Sequence, residues 1–175
     1  MSITAIIPVR EGSRRLKNKN IAPFAGTNLL IYKINQLKQV QEIDDIVVSS
    51  DSELMLTMAQ SQGVITHKRS PEFCDEKSKT FGEVVAHICE NVPGDDIIWA
   101  TCTAPLVFPK HYREAIKLYY KAITDGYDSL VSMEKFKRYL WDDNGPLNYE
   151  LGLRHVPSQQ LKPLYYVTDG ILIAP

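Results

Sequence analysis

Short apolar runs recur along this chain and predict the strands of a β-sheet. Strands are expected at residues 4–9, 44–49, 64–67, 96–101, 128–133 and 170–174. The runs Ile46-Val47-Val48 and Ile97-Ile98-Trp99 are apolar throughout, without alternating polar residues. Because the strands of a parallel sheet are buried on both faces, such runs favour a mainly parallel sheet.

The segments between these runs have the three-to-four-residue apolar spacing of amphipathic helices. Helices are expected at residues 28–41, 52–62, 79–91 and 109–124. In the first of them, Leu30, Ile34 and Leu37 share one face. The alternation of strands and helices predicts an α/β fold, a three-layer sandwich in one domain that spans residues 1–175.

The region 134–164 differs from the rest of the chain. It has no clear periodicity, it contains several prolines, and it is rich in aromatic residues such as Tyr139 and Trp141. Two interpretations stay open from these residues alone. The region is either a long loop packed on the body of the domain, or a projection that packs on a second subunit.

A strongly basic loop follows the first predicted strand. Its cations are Arg10, Arg14, Arg15, Lys17 and Lys19. Gly12 and Ser13 lie among them and let backbone N–H groups approach a ligand. Such a loop can bind several phosphate oxygens, although a solvated basic loop is the plain alternative. The loop contains neither a P-loop nor a Gly-x-Gly-x-x-Gly dinucleotide motif.

The overall composition narrows the class of partner. The chain of 175 residues has a formal net charge of −1, with 44% hydrophobic and 23% charged residues. This balance argues against a general nucleic-acid binder, so the local positive charge indicates a small polyanion. The three cysteines form no Cys-x-x-Cys pair, which favours a reducing cytoplasm, and no apolar run approaches membrane-spanning length.

Four polar segments are expected to meet at one edge of the sheet. They are the loop 10–20, the turn 49–51, the stretch 67–80 and the segment 101–106, each of which follows a predicted strand. In open α/β sheets, ligands bind outside the carboxyl ends of the strands. The coincidence of the four segments therefore predicts a ligand site there.

The opening of the chain resembles a known enzyme family. Ile6-Ile7-Pro8-Val9-Arg10-Glu11-Gly12-Ser13-Arg14, followed by Lys19-Asn20 and Pro23-Phe24-Ala25-Gly26, is similar to the opening of the acylneuraminate cytidylyltransferases, the CMP-sialic acid synthetases. The resemblance implies a Rossmann-like fold of the nucleotide-diphospho-sugar transferase type. It also implies transfer of a cytidylyl group from CTP to a sialic-acid-like sugar, Mg²⁺ as cofactor, and a homodimer completed by region 134–164.

The resemblance assigns nucleotide-binding roles residue by residue. Arg10, Ser13, Arg14, Lys19 and Asn20 match the residues that hold the triphosphate and the leaving pyrophosphate, with Arg10 and Lys19 in the catalytic role.

Two further residues match the family's base pocket. Arg69, in Lys68-Arg69-Ser70-Pro71-Glu72, matches a segment associated with cytosine and ribose. Thr80 matches a small hydroxyl residue near the base. The alternative for Thr80 is a helix cap, since it precedes an apolar helix.

The sugar-binding residues implied by the resemblance are Thr101, Thr103, Gln160 and Asp169. Thr103-Ala104-Pro105-Leu106 is similar to the family's Thr-Ser-Pro-Leu, but Thr101 stands where Gln is usual and Val107 where Arg is usual. These departures leave the identity of the sugar acid open. Asp169 precedes Gly170, and an Asp-Gly pair is also a common turn.

The family's metal-binding Asp-x-Asp segment has no counterpart in this sequence. The C-terminal part of the family domain is therefore expected to be absent, the metal ligands stay unknown, and Asp51 is a candidate. Two alternatives to a cytidylyltransferase follow. One is a non-catalytic nucleotide-binding or regulatory domain of the same fold, and the other is a nucleotidyltransferase that uses another NTP.

Overall fold

Two compact units make up this chain in the computed structural model, which describes residues 1–12, 16–75 and 77–175. The first unit comprises Met1–Leu130 and Gly170–Pro175, and the second comprises Val131–Asp169. The helices are α1 (Leu29–Leu37), α2 (Glu53–Ser61), α3 (Phe81–Cys89) and α4 (Pro109–Thr124). The strands are β1 (Ile3–Pro8), β2 (Pro23–Phe24), β3 (Thr27–Asn28), β4 (Asp45–Ser50), β5 (Ile65–Lys68), β6 (Asp96–Trp99), β7 (Leu130–Phe136), β8 (Trp141–Asp142), β9 (Gly145–Pro146) and β10 (Leu164–Ala174).

The central sheet of the first unit has the strand order β5-β4-β1-β6-β10. Strands β5, β4, β1 and β6 are parallel, and β10 runs antiparallel to β6, with Ile173 opposite Ile98. The sheet is mainly parallel, so the predicted α/β class is confirmed. Each parallel crossover contains a helix, as a connection between parallel strands requires.

Both faces of this sheet are covered, which gives three layers. From β1, Ala5 and Ile7 join the large core cluster that includes residues of α1, α2 and α4. Ile6, between them, points to the opposite cluster with Ile88 of α3. Alternation along a buried strand therefore supplies both cores from one apolar run.

The second unit contains two strand pairs. The start of β10 lies beside β7, where the Ser132 and Thr168 hydroxyls are 2.8 Å apart. Strands β8 and β9 form a short hairpin. The side-chain amide of Asn148 is buried. Its nitrogen donates to the Arg138 carbonyl (2.8 Å), and its oxygen accepts from the Leu140 backbone amide (3.1 Å). These bonds hold the loop that the sequence predicted without regular structure.

The predicted start of the last strand was wrong. The last strand begins at Leu164 rather than at residue 170, and it is antiparallel. Asp169 lies inside that strand with a φ of 53°, so the Asp-Gly pair is not a turn between elements. A residue with positive φ inside a strand still suits Asp, which tolerates the left-handed region better than most residues.

The helices in the described ranges include none with the length and apolarity that crossing a membrane requires.

Candidate functional site

A cavity of about 380 Å³ lies in the first unit at the carboxyl ends of the parallel strands. We call it the strand-end cavity. Its walls include Arg10 after β1, Arg69 after β5, and Thr101, Cys102 and Thr103 after β6. Residues from three of the predicted polar segments therefore line a single cavity.

The fourth predicted segment, the turn 49–51, is bonded to the same strand ends. The Val9 amide donates to the Ser49 carbonyl (3.0 Å), and the Glu11 amide donates to the Asp51 carboxylate (2.9 Å). The expectation that the four segments meet at one edge of the sheet is confirmed.

Positive charge dominates the strand-end cavity. Arg10, Lys19, Arg69 and Lys79 line it, against the single lining carboxylate Asp75 among the described residues. Because the cations outnumber the carboxylate, the cavity has a positive potential that attracts small anions. The predicted residues Ser13 and Arg14 lie outside the described residues.

A one-turn 3₁₀ helix, Lys19–Ile21, carries the predicted Lys-Asn pair. Asn18 precedes it in the left-handed region, with a φ of 56°. The Ile21 amide donates to the Asn18 carbonyl (3.0 Å), which fixes the turn. Lys19 and Asn20 both line the strand-end cavity, and Asn20 is buried.

Arg69 joins the ends of two strands. Its guanidinium Nη2 donates to the Val9 carbonyl and to the Ser49 carbonyl (3.3 Å), and the side chain is only 5% exposed. Its buried Nε has no hydrogen-bond acceptor among the described residues. Burial lowers the pKa of Arg69, and the Arg10 charge lowers it further, while the Cys74 and Asp51 groups oppose that shift.

An apolar wall completes the strand-end cavity, and the sequence reasoning missed it. Phe73, Phe81, Val84 and Trp99 line this side. The Phe81 and Trp99 rings meet edge to face with centroids 5.6 Å apart. An apolar, aromatic wall beside cations suits a ligand with both a ring and negative charge. The aromatic residues next to the predicted helix start and strand end were the available signal.

Thr80 is compatible with both roles that the sequence left open, a helix cap and a residue of the ligand site. It caps α3 through a reciprocal pair of bonds with Glu83, in which the Thr80 hydroxyl accepts from the Glu83 amide (3.3 Å) and the Thr80 amide donates to the Glu83 carboxylate (2.9 Å). The helix cap is therefore confirmed. Thr80 also lines the strand-end cavity, so contact with a ligand is compatible with capping.

Cys102 is a packed residue of the core. It is 2% exposed, and burial raises the pKa of its thiol to about 12. The Lys33 and Lys19 charges reduce that shift without abolishing it. The thiol is therefore protonated near neutral pH and does not serve as a thiolate nucleophile.

Gln160 and Asp169 belong to the second unit. Gln160 is exposed at the end of the 3₁₀ turn Ser158–Gln160, and Asp169 lies in β10. Neither lines the strand-end cavity. The sugar-binding roles of these two residues, like those of Thr101 and Thr103, stay predictions.

The described residues do not fit a Mg²⁺ ion held by protein ligands alone. Among residues 1–12, 16–75 and 77–175, no group of three or more His, Cys, Asp or Glu side chains is arranged to hold a metal. The carboxylate of Asp51, the candidate from the sequence, accepts a hydrogen bond from the Glu11 backbone amide. No catalytic step is therefore assigned to a metal ion.

Relatives of this chain share one enzymatic class. N-acylneuraminate cytidylyltransferase A of Danio rerio is 30% identical over 141 residues, which cover 81% of this chain and 32% of the relative. N-acylneuraminate cytidylyltransferase of Streptococcus agalactiae serotype V is 26% identical over 179 residues, covering 99% of this chain and 43% of the relative. The chain thus spans less than half the length of these relatives.

A solved structure supports the fold. CMP:2-keto-3-deoxy-manno-octonic acid synthetase, complexed with CTP, superposes with a TM-score of 0.74 over 99% of this chain and 74% of its own. Its sequence identity is 14%, so it supports the fold alone. The family model described as Cytidylyltransferase matches residues 4–145, which include β1 from its second residue onward, the basic loop and the whole wall of the strand-end cavity. This chain belongs to the cytidylyltransferase family.

Proposed function

We propose that this chain binds CTP in the strand-end cavity and transfers the cytidylyl group to an acidic, sialic-acid-like sugar. The observation that carries the proposal is that one cavity contains both a cluster of cations and an apolar, aromatic wall. A nucleoside triphosphate has the matching chemistry, namely a flat base and a multiply charged chain. Membership of the cytidylyltransferase family supports CTP as that nucleotide.

In the proposed reaction, the anomeric hydroxyl oxygen of the sugar attacks the α-phosphorus. The bond from that phosphorus to the bridging oxygen breaks, pyrophosphate leaves, and the hydroxyl proton passes to solvent. Arg10 and Lys19 would stabilise the charge on the phosphate oxygens, since fixed cations favour a transition state in which such charge redistributes. Asn20, with Ser13 and Arg14, would complete the triphosphate contacts.

We place the base near Arg69 and Thr80. Arg69 has a buried Nε without an acceptor among the described residues, and Thr80 lines the same cavity. A site that hydrogen-bonds one base edge rejects other bases, because its buried polar groups would stay unpaired. The edge-to-face pair of Phe81 and Trp99 offers an apolar surface to the ring.

The sugar would lie against Thr101 and Thr103. The sugar-binding roles of Gln160 and Asp169 stay predictions from the resemblance. The names of the zebrafish and streptococcal relatives support an acylneuraminate. Mg²⁺ would arrive bound to the phosphate oxygens of CTP, because Mg²⁺ needs few protein carboxylates when phosphates are available.

A homodimer is part of the proposal, with region 134–164 as its contact. Trp141, Leu151 and Leu153 of the second unit are exposed. Sedimentation equilibrium should give a dimer, and Leu153→Glu should shift it towards monomer. Leu118→Glu, at an exposed position of α4, is the matched control.

The free cysteines Cys74, Cys89 and Cys102 support a reducing cytoplasm as the location.

The test begins with calorimetric titration of CTP, ATP, GTP and UTP, each with and without Mg²⁺. We expect CTP to bind at least tenfold more tightly than the others. Equal affinities for CTP and ATP would remove cytosine recognition and favour a nucleotidyltransferase that uses another base.

Pyrophosphate release is then measured with CTP and either N-acetylneuraminate or 3-deoxy-manno-octulosonate. We expect CTP-dependent release with an acidic sugar. Tight CTP binding without release, in this chain and in a longer product of the same gene, would favour the non-catalytic nucleotide-binding alternative.

A further inference from the structure

Lys33 is a charged side chain in the interior of the first unit. It lies on α1, and its exposed fraction is 0%. Its ammonium donates to the Ala104 carbonyl (2.9 Å) and to the Tyr112 hydroxyl (2.9 Å). Within the part of the chain that the structure describes, no carboxylate forms an ion pair with it. A buried ammonium without a counter-ion is expensive, so its role needs a physical explanation.

The first clue is the loop that Lys33 contacts. Within that loop the Ala104 amide is 3.4 Å from the Thr101 carbonyl, and the Val107 amide is 3.3 Å from the Ala104 carbonyl. These turn bonds are long. The bonds from α1 are shorter, because the Gln36 amide donates to the Pro105 carbonyl at 2.8 Å and Lys33 donates to Ala104 at 2.9 Å. Two side chains of α1 therefore bind consecutive carbonyls of this loop at ordinary hydrogen-bond distances.

The second clue is the position of the charge. Cys102 lines the strand-end cavity, and the Lys33 and Lys19 charges both lower the pKa of its thiol against the opposing effect of burial. The Lys33 ammonium also donates to the Ala104 carbonyl, one residue after the cavity-lining Thr103, so it lies close to the wall of the strand-end cavity on its buried side. In a low-dielectric interior such a charge acts over a longer range than at the surface.

We infer that Lys33 is a positioning residue that fixes the loop directly after Thr103 through the Ala104 carbonyl and supplies a positive charge beneath the segment 101–103, which favours a sugar with a carboxylate. The inference rests on the proposed function, in which this segment contacts the sugar. It adds the source of the preference for an acidic substrate. Gln36 holds the same loop at the next carbonyl, but it contributes no charge.

Hydrogen–deuterium exchange tests the positioning role without any ligand. We expect the backbone amides of residues 101–104, 106 and 107 to exchange about tenfold faster in Lys33→Met and in Gln36→Leu than in the unchanged chain. Asn35→Met, at an exposed position of the same helix, is the matched control and should leave these amides unchanged. Unchanged exchange in Lys33→Met would overturn the positioning role.

Calorimetry tests the role of the charge. The protein is saturated with a CTP analogue that has a methylene bridge between the α- and β-phosphorus, and it is titrated with N-acetylneuraminate or with its methyl ester. The unchanged chain should prefer the acid. In Lys33→Met, affinity for the acid should fall about tenfold, affinity for the ester should stay within twofold, and affinity for the analogue should change less than threefold.

Two further variants separate the possible results. Lys33→Gln keeps a donor without the charge, so it should fold if Lys33→Met does not, and it should show the same loss of preference. Gln36→Leu should weaken binding of acid and ester equally. An unaltered preference for the acid in both Lys33 variants would overturn the inference. If the unchanged chain does not bind the CTP analogue, the proposed function itself fails.

Discussion

Burial of the Lys33 ammonium should make the stability of this protein rise with pH in a defined window. Burial lowers the pKa of Lys33 from its ordinary value of 10.5 to about 8, and the Cys102 group opposes the shift. Between those values the unfolded chain binds a proton that the folded chain does not. The free energy of unfolding therefore increases as pH rises through the folded-state pKa.

The magnitude follows from the size of the shift. Each pKa unit corresponds to about 1.4 kcal/mol, so keeping the charged form buried costs about 3 kcal/mol near neutral pH. Most of that cost should disappear by pH 10, when folded Lys33 is neutral. Burial raises the pKa of both Cys102 and Tyr112, so neither neighbour ionises within the window.

The assay is urea unfolding followed by circular dichroism at pH 7, 8, 9 and 10, for the unchanged chain and for Lys33→Met. Other groups titrate in both proteins, so the difference between their unfolding free energies isolates Lys33. That difference should move by about 2 to 3 kcal/mol in favour of the unchanged chain between pH 7 and pH 10. Lys117→Met, which removes an exposed lysine of α4, should show little of this trend. A flat difference for Lys33→Met would refute the reasoning, and a difference of opposite sign would mean that the ammonium is stabilised in the fold.

Further predictions concern the backbone, a helix cap and the basic loop. Gly94→Ala should destabilise the protein by about 2 to 4 kcal/mol in urea unfolding, because a Cβ would lie 2.5 Å from the Thr4 hydroxyl and φ is +115°. Thr80→Ala should lower stability by about 1 kcal/mol through loss of the cap, whereas Thr80→Ser should retain most of it. Arg10→Ala should weaken CTP binding by about tenfold to a hundredfold, as loss of a charge-assisted contact implies, with little change in the melting temperature. Lys17→Ala, an exposed change in the same loop that does not touch the strand-end cavity, should leave CTP affinity nearly unchanged, and equal losses in both variants would mean that only overall loop charge matters.

The central sheet could be predicted because burial on both faces leaves a clear signal. The apolar run Ile46–Val48 reflects the full burial of Val47 and Val48, and the 3–4 spacing of Leu30, Ile34 and Leu37 reflects their burial in the core. The direction of β10 could not be predicted, because an apolar run does not record which way a strand enters the sheet. The two-residue strands β2, β3, β8 and β9 were also missed, since so few residues carry no periodicity.

The strand-end cavity was only partly predictable. Its charged members stand next to strand ends in the sequence, whereas its apolar wall is built from Phe73, Phe81 and Trp99, which look like ordinary core residues. Lys33 left a signal that was overlooked. It falls between Leu30 and Leu37 on the apolar face of α1, where a lysine is unexpected.

The division into two units places one tryptophan in each, since Trp99 belongs to the first and Trp141 to the second. Their surroundings differ, because Trp99 lines the strand-end cavity, whereas Trp141 is 57% exposed and donates to the Tyr149 hydroxyl. The protein thus carries a separate intrinsic fluorophore for each unit. Trp141→Phe leaves the emission of Trp99, which would report the proposed binding of nucleotide in the cavity, and Trp99→Phe leaves the emission of Trp141, which reports the second unit. Comparing their emission midpoints in urea measures whether the two units unfold in a single cooperative transition.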